Sequence, residues 1–550
     1  MTAIVTTPFR VVNAENFKED VAGSSVYVGI GKTDVWSTAT SDLTDATTPF
    51  TPQDRIDDIH EAYQNMIGMK KIASADVAHI VPRHTWTSGT TYTAWDSDDS
   101  AIYDKAFYIV TSEYKVYKCT SSPGTQSTVE PTHINSDPTA ESDSYVWKYM
   151  YTVSVTDAEK FLTISYLPVR TEPTVSTSTG GNGGSSSVTV TLTAANEYIV
   201  KDMLVTGSGI TAGDTVAAID GVTLTLSTAR AVANGNTLTF GRLADTDVNY
   251  ANQTAQLNSA NTSLCAVAGI ERYEVTEGGS GYTSAPDVIV RGDGTGALAL
   301  ATVSGGEVTA ITVSNAGGGT AAVNTENNRG DGYTVADLLI GSVTTGGGTS
   351  AAARAIITPS GGHGIDPVKE LGAFYVAVNS QLSGSEGGDL TVGNDFRQIS
   401  LIKKPQNYGT TVTASATTLR ARKALVLATA GSVSGFAVDQ VITGSSSAAK
   451  AYLVEIDTTN KVLYYVQNSK TGYADFVSGD TITGTLPSGG SSVLNVTDVS
   501  GDEQSWFGHA SNGYGPEVKM NSGQLLFLEN RDAINRSSSQ IEDIKLIIEF

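Results

Sequence analysis

The sequence predicts a mainly β, multidomain protein, in which a host β-sheet domain with one or two helices is interrupted by two glycine-rich β insertions. Three observations predict this class. The chain has 550 residues, which is too long for one hydrophobic core. Its apolar residues occur in short alternating runs between Gly, Ser and Thr turns, as in β-strands. All five tryptophans lie outside two long tracts rich in Gly, Ser, Thr and Ala. The large side chains that anchor a hydrophobic core are therefore expected in the host domain.

Shifts in composition predict six segments along the chain. The host domain is expected to comprise an N-terminal part at 1–172, returning strands at 371–410 and C-terminal strands at 501–550. The insertions are expected to be a β module at 173–250, a tandem Gly-Tyr-Thr β repeat at 251–370 and a second β module at 411–500. We expect these tracts to fold on their own turns, because each has its own strands and repeats.

The N-terminal part contains three strong β signals and one helix signal. Strands are predicted at Ser25–Ile30 and Tyr145–Val155, and a hairpin at Ala106–Lys118. The helix is predicted to begin near Thr51, with a capping hydroxyl and a proline at the first helical position. Its apolar face is expected to comprise residues at helical spacing, namely Ile56, Ile59, Tyr63, Met66 and Ile67.

The two glycine-rich tracts contain a linker signal and two internal repeats. Thr179–Ser187 is expected to be a linker because it is almost entirely Gly and Ser. Gly278–Thr283 and Arg329–Thr334 share a Gly-Tyr-Thr ending and predict two β-hairpin modules in tandem. In the later tract, Gly435–Gly444 is echoed by Ala474–Gly484.

The stretch Asp395–Pro405 is a short island of strand-like sequence between the two tracts. Phe396 and Ile402 are among its apolar residues, and its terminal proline stops the run because proline has no N–H for a sheet ladder. A strand this short cannot bury its face alone. We therefore expect it to pair with strands from the N-terminal third and from Gln524–Phe550.

The end of the chain reads as a strand over Ile541–Phe550. Ile544, Leu546, Ile548 and Phe550 alternate and would share one face. We therefore expect the final aromatic residue to be buried in a sheet.

Charge and cysteine content limit the classes of partner. The formal net charge of −23 repels phosphate backbones and anionic membrane surfaces, so no nucleic acid and no membrane partner is expected. Cys119 and Cys265 are far apart and have no metal-ligand spacing, which favours two buried thiols in a reducing compartment. No apolar run is long enough to span a bilayer, and a signal-peptide pattern is absent from the N-terminus.

Motifs for catalysis are weak. Gly29–Thr33 resembles the end of a phosphate-binding loop but lacks the earlier glycine, and the histidines form no zinc-protease pair. Asp96–Asp99 could hold a hard cation, but it lacks the spacing of a calcium loop, which favours an exposed acidic turn. Arg-Gly-Asp occurs at 291–293 and 329–331, within glycine-rich sequence where composition alone produces it. We expect no enzyme, no cofactor and no metal site.

Several short motifs occur in an order that resembles a known family. They are Ile80-Val-Pro-Arg-His-Thr-Trp86, Ser144-Tyr-Val-Trp-Lys-Tyr149, Phe396-Arg-Gln-Ile-Ser400, Ser522-Gly-Gln and Glu529-Asn-Arg531, together with a Gly31-Lys-Thr-x-x-Trp36 turn. With the helix before Ile80 and the final strand, this set resembles the baseplate wedge subunit, the product of gene 8, of T-even-type contractile-tailed bacteriophages. The resemblance covers about 1–172, 371–408 and 503–550 and departs where the tracts are inserted.

The resemblance implies a structural virion protein, a homodimer in the tail baseplate that acts by protein–protein assembly without catalysis. Its partners would be other wedge proteins, the products of genes 6, 7 and 10, and assembly would take place in the bacterial host cytoplasm. The candidate core and assembly residues are Trp36, Trp86, Trp147, Phe396, Arg397, Asn530, Arg531 and Phe550. The Gly31-Lys-Thr turn would be structural.

A phage tail adhesin or tail-spike-like glycan-binding protein is the alternative function, and a depolymerase is the third. A glycan binder needs exposed aromatic residues that stack on sugars, and the two tracts contain no tryptophan.

Overall fold

The structure is a computed structural model. It describes residues 3–37, 45, 48–134, 138–170, 176–196, 199, 203–241, 269–313, 329–341, 347–359, 363–364, 366–427, 433, 435–477, 480–485, 491–497 and 514–550. Cys265, Trp506 and His509 lie outside these residues, so the predictions made for them are not addressed.

The described residues are mainly β, which confirms the predicted fold class. The helices are α1 (Thr7–Gly23), α2 (Ile56–Gln64), α3 (Val155–Phe161) and α4 (Pro367–Glu370). The strands of the N-terminal part are β1 (Val26–Gly31), β2 (Met66–Lys71), β3 (Val77–Pro82), β4 (Tyr108–Val110), β5 (Lys115–Ser121), β6 (Thr139–Ala140), β7 (Val146–Thr152) and β8 (Tyr166–Val169).

Three further sets of strands follow. Those of the first tract are β9 (Ser176–Gly181), β10 (Ser186–Leu192), β11 (Val205–Gly207), β12 (Val216–Asp220), β13 (Thr223–Ala231), β14 (Asn236–Phe240), β15 (Ile270–Ser280), β16 (Asp287–Gly292), β17 (Thr295–Ala297), β18 (Ala299–Ser304), β19 (Glu307–Val313), β20 (Arg329–Asp331), β21 (Ala336–Ile340) and β22 (Thr349–Ile357). Next come β23 (Tyr375–Ser383), β24 (Asp395–Lys403), β25 (Thr418–Arg420), β26 (Lys423–Val426), β27 (Val441–Gly444), β28 (Lys450–Asp457), β29 (Val462–Val466), β30 (Thr481–Thr485) and β31 (Ser491–Thr497). The last strands are β32 (Gln524–Asn535) and β33 (Ile541–Glu549).

The chain divides into two compact units. The first unit comprises Met1–Val12, His79–Tyr375 and Phe550; the second comprises Asn13–Ala78 and Val376–Glu549. Each unit contains part of the N-terminal region and at least one glycine-rich sheet. The six predicted segment boundaries and the autonomy of the insertions stay predictions.

The second unit is built around β24. Its sheet has the order β25-β2-β1-β24-β32, and each neighbouring pair is antiparallel. Tyr27 lies opposite Ile402 on one side, and Leu401 lies opposite Phe527 on the other. The expected pairing of this short strand with both ends of the chain is therefore confirmed. A separate sheet, β26-β29-β28-β27-β30-β31, contains the glycine-rich sequence of this unit.

The echoed sequences of that glycine-rich sheet form two neighbouring strands. β27 and β30 are antiparallel neighbours, with Ile442 opposite Gly484 and Gly444 opposite Ile482. Phe436 and Phe476, which precede the two strands at the same distance, both enter its core. The repeat therefore builds one sheet with an internal two-fold pattern.

In the first unit, the aromatic host region forms the sheet β4-β5-β7-β6, while β3 pairs with β8. The predicted hairpin and the strand at Tyr145–Val155 are confirmed, although the strand ends at Thr152. α3 begins directly after it because Ser154 accepts a hydrogen bond from the Asp157 N–H at 3.0 Å, a helix N-cap. Two glycine-rich sheets, β11-β14-β9-β10-β13-β12 and β15-β22-β21-β16-β18-β19, complete the unit.

Three local predictions were wrong. Helix α2 begins at Ile56 rather than near Thr51, and its N-cap Arg55 makes no side-chain capping hydrogen bond. Met66 and Ile67 belong to β2, since both are buried on a strand that pairs with β1. The expected linker at Thr179–Ser187 instead comprises the end of β9, a glycine turn and the start of β10, and β9 pairs with the far end of β10 through Gly181 and Thr191.

The Gly-Tyr-Thr copies do not form two separate hairpins in tandem, because their strands interleave in one sheet. β15 precedes the first copy but pairs with β22, which follows the second. Tyr282 and Tyr333 are both buried in the shared core. A Cβ added at Gly348 would overlap the Tyr282 ring, and one added at Gly292 would crowd the Tyr333 ring. Each copy's tyrosine thus packs on the glycine turn of the other copy, which explains why the tyrosine and the turn glycine both recur in the two copies.

Candidate functional site

Five of the eight predicted residues come together in the second unit, around the segment that follows β1. Arg397 is the centre of this group. It is buried, and its Nε lies 2.8 and 2.9 Å from the two carboxylate oxygens of Asp45. Its other nitrogens donate to the Thr33 carbonyl at 2.5 Å and to Asp395 at 3.0 Å. The guanidinium therefore ties β24 to the turn after β1 with charge-assisted hydrogen bonds.

Trp36 and Asn530 fasten the same segment to β32. The indole N–H of Trp36 donates to the Arg531 carbonyl at 2.8 Å, and its ring meets Phe50 edge to face. The Asn530 amide donates to the Phe50 carbonyl and accepts from Gln398, both at 2.8 Å. Phe396, on β24, is fully buried. These contacts hold the loop between β1 and α2 onto the sheet.

The other three predicted residues lie in the first unit and do not meet as one group. Trp147 is fully buried and stacks on Tyr145 with 5.6 Å between ring centroids. Trp86 is half-buried and donates to Ser127 Oγ at 3.2 Å. Phe550 is half-buried, not buried as expected, although its N–H donates to the Phe374 carbonyl at 3.1 Å.

The turn at Gly31–Thr33 holds a buried ionic network rather than a phosphate. Lys32 adopts a left-handed backbone conformation and points its amine at Asp34, with Nζ 2.7 Å from Oδ2. Lys470, from the glycine-rich sheet region, reaches the same carboxylate at 2.9 Å. Burial lowers the pKa of Lys32, and the neighbouring Asp34 opposes that shift. Its amine is thus occupied within the protein.

The segment 468–473 docks on this turn, and we call these contacts the second-unit network. The Asn468 amide donates to Asp34 and to Asn65, both at 3.0 Å. The Lys470 amine also donates to the Val35 carbonyl at 2.7 Å. Tyr473 donates its hydroxyl to Glu61 at 2.6 Å. The loop that follows β29 therefore binds the host turn through polar contacts.

The first-unit network is a chain of four side chains buried among aromatic rings. Lys118 Nζ lies 3.1 Å from Glu370 Oε2, and their side chains are 0% and 3% exposed. His363 stands between two carboxylates: Nε2 is 3.2 Å from Glu271, and Nδ1 is 4.0 Å from Glu370. The Lys118 amine also lies 3.9 Å from the centre of the Trp95 ring. The chain runs from host strand β5 to repeat strand β15.

The pKa shifts in the first-unit network determine which of its side chains are charged at neutral pH. Burial raises the pKa of Glu271, but the hydrogen bond from His363, the charge that His363 carries when it is protonated in acid, and two nearby arginines outweigh burial and bring this pKa to about 2, so the carboxylate is charged at neutral pH. Burial, followed by the Lys118 charge, lowers the pKa of His363, which is therefore neutral at pH 7. The pKa of Glu370 is also lowered: burial opposes this, but Lys118 and His363 outweigh it. The resting network is an ion pair beside a neutral imidazole.

The acidic turn at Asp96–Asp99 binds the sheet of the Gly-Tyr-Thr repeat, β15-β22-β21-β16-β18-β19, through Arg354. The guanidinium of Arg354 lies 2.5 Å from Asp96 and 2.5 Å from Glu274. Ser97 accepts from the Ile357 N–H at 3.1 Å, and the Trp95 indole donates to the Ile357 carbonyl at 3.2 Å. The carboxylates that suggested a cation thus face an arginine. Within the described part of the chain, no group of three His, Cys, Asp or Glu side chains is arranged to hold a metal ion.

Asp293, in the first Arg-Gly-Asp, caps the backbone N–H groups that directly precede β21. Its carboxylate accepts from the N–H groups of Thr334 and Val335 at 2.9 and 3.0 Å, and these bonds with the Thr334 hydroxyl hold its pKa at about 2. Arg329, in the second copy, donates to the Ile270 carbonyl at 2.9 Å. Cys119 is a buried thiol whose pKa burial raises to about 12, so it is unreactive at neutral pH.

Residues 3–106 match the family model Phage-Gp8, described as Bacteriophage T4, Gp8. The match covers about a fifth of the chain and contains Trp36 and Trp86. It supports a structural role in a phage baseplate. A search of curated proteins found no match to this chain. Among the described helices, none is long and apolar enough to cross a membrane.

The Gp8-matching region does not form a complete sheet from its own strands. Its strands β1 and β2 lie in a sheet that β24, β25 and β32 complete, and these three strands come from beyond residue 394. β3, which also lies within the match, pairs with β8 from beyond residue 106. Four of the eight predicted residues, Phe396, Arg397, Asn530 and Arg531, sit on strands that complete the Gp8-matching sheet.

Proposed function

We propose that the protein is a baseplate wedge component of a contractile phage tail, a homodimer that acts by assembly with other wedge proteins and has no catalytic activity. The observation that carries the proposal is the match of residues 3–106 to Gp8 together with the completion of that region's sheet by β24 and β32. Two of the motifs that resemble the gene 8 product beyond residue 106, Phe396–Ser400 and Glu529–Arg531, lie on those completing strands. On this proposal the resemblance extends from the matched residues to a discontinuous host fold.

The chemistry of the described polar clusters agrees with a non-enzymatic role. The Lys32 and Lys118 amines are both buried against carboxylates, and Cys119 is a buried thiol. These groups are engaged inside the protein, where a diffusing substrate does not reach them. The partners proposed by resemblance are the products of genes 6, 7 and 10, and the proposed location is the tail of the virion, assembled in the host cytoplasm.

Electron microscopy of labelled virions tests the location. A short epitope tag is inserted between Gly183 and Gly184, whose turn has open space around both residues. Antibody density should appear at the baseplate, with one position per wedge. Untagged virions are the control. Density on the head, the tail tube or the distal fibres would contradict the proposal.

Sedimentation of the purified protein tests the dimer, and co-sedimentation with the wedge proteins tests the partners. A dimer mass and a stable complex with at least one wedge protein are expected. A stable monomer that binds host surface polysaccharide would instead favour the glycan-binding adhesin. Release of sugar from that polysaccharide would favour the depolymerase.

A further inference from the structure

The first-unit network contains the parts needed to form a covalent bond. Lys118 and Glu370 are an amine and a carboxyl group in contact at 3.1 Å, both at least 97% buried. Such a pair usually remains an ion pair, whose burial costs desolvation energy. This pair, however, also has a neighbouring imidazole, a second carboxylate and two aligned backbone donors. We propose that Lys118 and Glu370 condense into an intramolecular amide, which cross-links the host to the helix that follows the repeat sheet.

Two backbone N–H groups hold the Glu370 carboxyl group in a way that favours attack by a nucleophile. The N–H of Gly364 donates to Oε2 at 3.0 Å, and the N–H of Asp366 donates to Oε1 at 3.1 Å. Backbone donors aimed at both oxygens stabilise the negative charge that develops when a nucleophile attacks the carbon. The same donors fix the plane of the carboxyl group. The amine of Lys118 is fixed in turn over the Trp95 ring.

His363 and Glu271 form a dyad suited to proton transfer. Because Nε2 faces the Glu271 carboxylate at 3.2 Å, the imidazole proton belongs on Nε2. The lone pair of Nδ1 then points towards the Glu370 carboxyl, 4.0 Å away. This Nδ1 is buried and has no hydrogen-bond partner within the described residues. A buried, unpartnered nitrogen beside a reactive pair is the feature that an ordinary ion pair does not require.

The reaction balances without any other reactant. Lys118 first passes a proton to Glu370, which gives a neutral amine and a carboxylic acid. The amine nitrogen attacks the Glu370 carbonyl carbon and forms the C–N bond. His363 Nδ1 takes the proton lost by that nitrogen and returns it to the departing hydroxyl group, which leaves as water. Glu271 stabilises the transient imidazolium.

The neutral pair is the minor form, since the Lys118 charge lowers the pKa of Glu370. A small population is sufficient because the bond, once formed, is not reversed on the lifetime of the protein, and the dry aromatic surroundings exclude the water that hydrolysis needs. The cross-link would enclose residues 118–370 in a covalent loop. Both glycine-rich sheets of the first unit lie within that loop.

Mass spectrometry of the full-length, denatured chain tests the proposal. The expected mass is lower than the sequence mass by one water molecule. Trypsin should fail to cut after Lys118 and should release residues 116–148 joined to residues 370–397. The matched control is Lys32, which is also buried against a carboxylate, that of Asp34, but shares it with Lys470; the denatured chain should be cut normally after it. An unmodified mass in protein whose tryptophan emission shows it to be folded would overturn the proposal.

Two variants separate the cross-link from folding. Lys118→Arg keeps the positive charge but should abolish the joined peptides. His363→Gln keeps Lys118 and Glu370 in place, and the cross-linked fraction in freshly made protein should rise about a hundredfold more slowly, the usual contribution of a positioned acid–base group. Equal rates in the wild type and the His363→Gln variant would exclude the proposed role of the dyad. Normal trypsin cleavage after Lys118 in folded wild type would exclude the bond itself.

Discussion

The two units attach glycine-rich sheets to aromatic host strands with buried charges, but the two networks are built differently. In the second unit, Asp34 is shared by two lysines, Lys32 at 2.7 Å and Lys470 at 2.9 Å. In the first unit, the Lys118–Glu370 pair is extended through His363 to Glu271. In the second-unit network Asp34 keeps one cation when either lysine is removed. In the first-unit network each side chain has a distinct role. Removal of one residue should therefore have unequal consequences in the two units.

The difference also shows how light β modules can be added to a host. Such modules contain few large side chains, and each buries only a small apolar core of its own. Polar docking onto preformed turns supplies the specificity that hydrophobic area cannot. A buried charge network tolerates one docking geometry, because a misplaced partner leaves an uncompensated charge. The host turns that serve this purpose are Gly31–Thr33 and Asp96–Asp99.

The largest expected effect is that of Lys118→Met. This change leaves the buried Glu370 carboxylate without the cation that lies 3.1 Å from it, and it also prevents the proposed amide. Breaking a buried pair from one side costs about 3–5 kcal/mol. The free energy of unfolding of the first unit, measured by urea titration of tryptophan emission, should fall by that amount. A loss below about 1 kcal/mol would show that the first network is as tolerant as the second.

A partial rescue sharpens this prediction. In a Lys118→Met/Glu370→Met double variant no buried charge is left without its partner, so most of the lost stability should return. If the double variant is no more stable than the single variant, packing around Trp95 rather than charge would explain the loss.

The second effect is a loss of stability in acid through Glu271. Its pKa is about 2 in the folded protein against 4.5 ordinarily, so the folded state binds this proton less readily than the unfolded state. The stabilisation is complete above about pH 4.5 and is lost as the pH falls through about 2. Each pKa unit corresponds to about 1.4 kcal/mol.

The comparison of wild type with Glu271→Gln isolates this contribution from the other carboxylates. The difference in unfolding free energy between the two proteins should be constant above pH 5 and should shrink steadily below about pH 4.5. A difference that stays constant down to pH 3 would mean that Glu271 is not held ionised by His363. Chemical denaturation at a series of pH values provides the measurement.

The sequence predicts the strands well where apolar alternation is local. β24 and its pairing with both chain ends follow from a run of buried residues that ends before Pro405. Helix α1 was missed, although Val11, Ala14 and Val21 are buried at helical spacing. The boundary errors at Thr51 and Thr179–Ser187 arise because tertiary pairing overrides capping and composition signals.

The networks could not be predicted from the sequence in the same way. Lys118 and Glu370 are 252 positions apart, and neither has a local partner pattern. His363 is an isolated histidine in glycine-rich sequence, for which no metal or catalytic spacing exists. The Gly31–Thr33 and Asp96–Asp99 turns did stand out, but for phosphate and cation chemistry. The charges of these turns are evident in the sequence, whereas their partners depend on how distant strands meet.

The smallest expected effect is that of Lys32→Met, the matched counterpart of the Lys118 change. Both lysines are buried beside a carboxylate, but Asp34 retains Lys470 and the Asn468 amide when Lys32 is removed. Burial lowers the pKa of Lys32, which means that the folded protein holds its charge at a cost, and methionine removes that cost while filling similar space. The free energy of unfolding of the second unit should change by less than about 1 kcal/mol. A second substitution, Lys470→Met, should become much more costly in the Lys32→Met background than alone, because it removes the remaining cation. If the two changes are instead additive in a double-mutant cycle, the lysines do not share Asp34 in the sense described, and the contrast between the two networks fails.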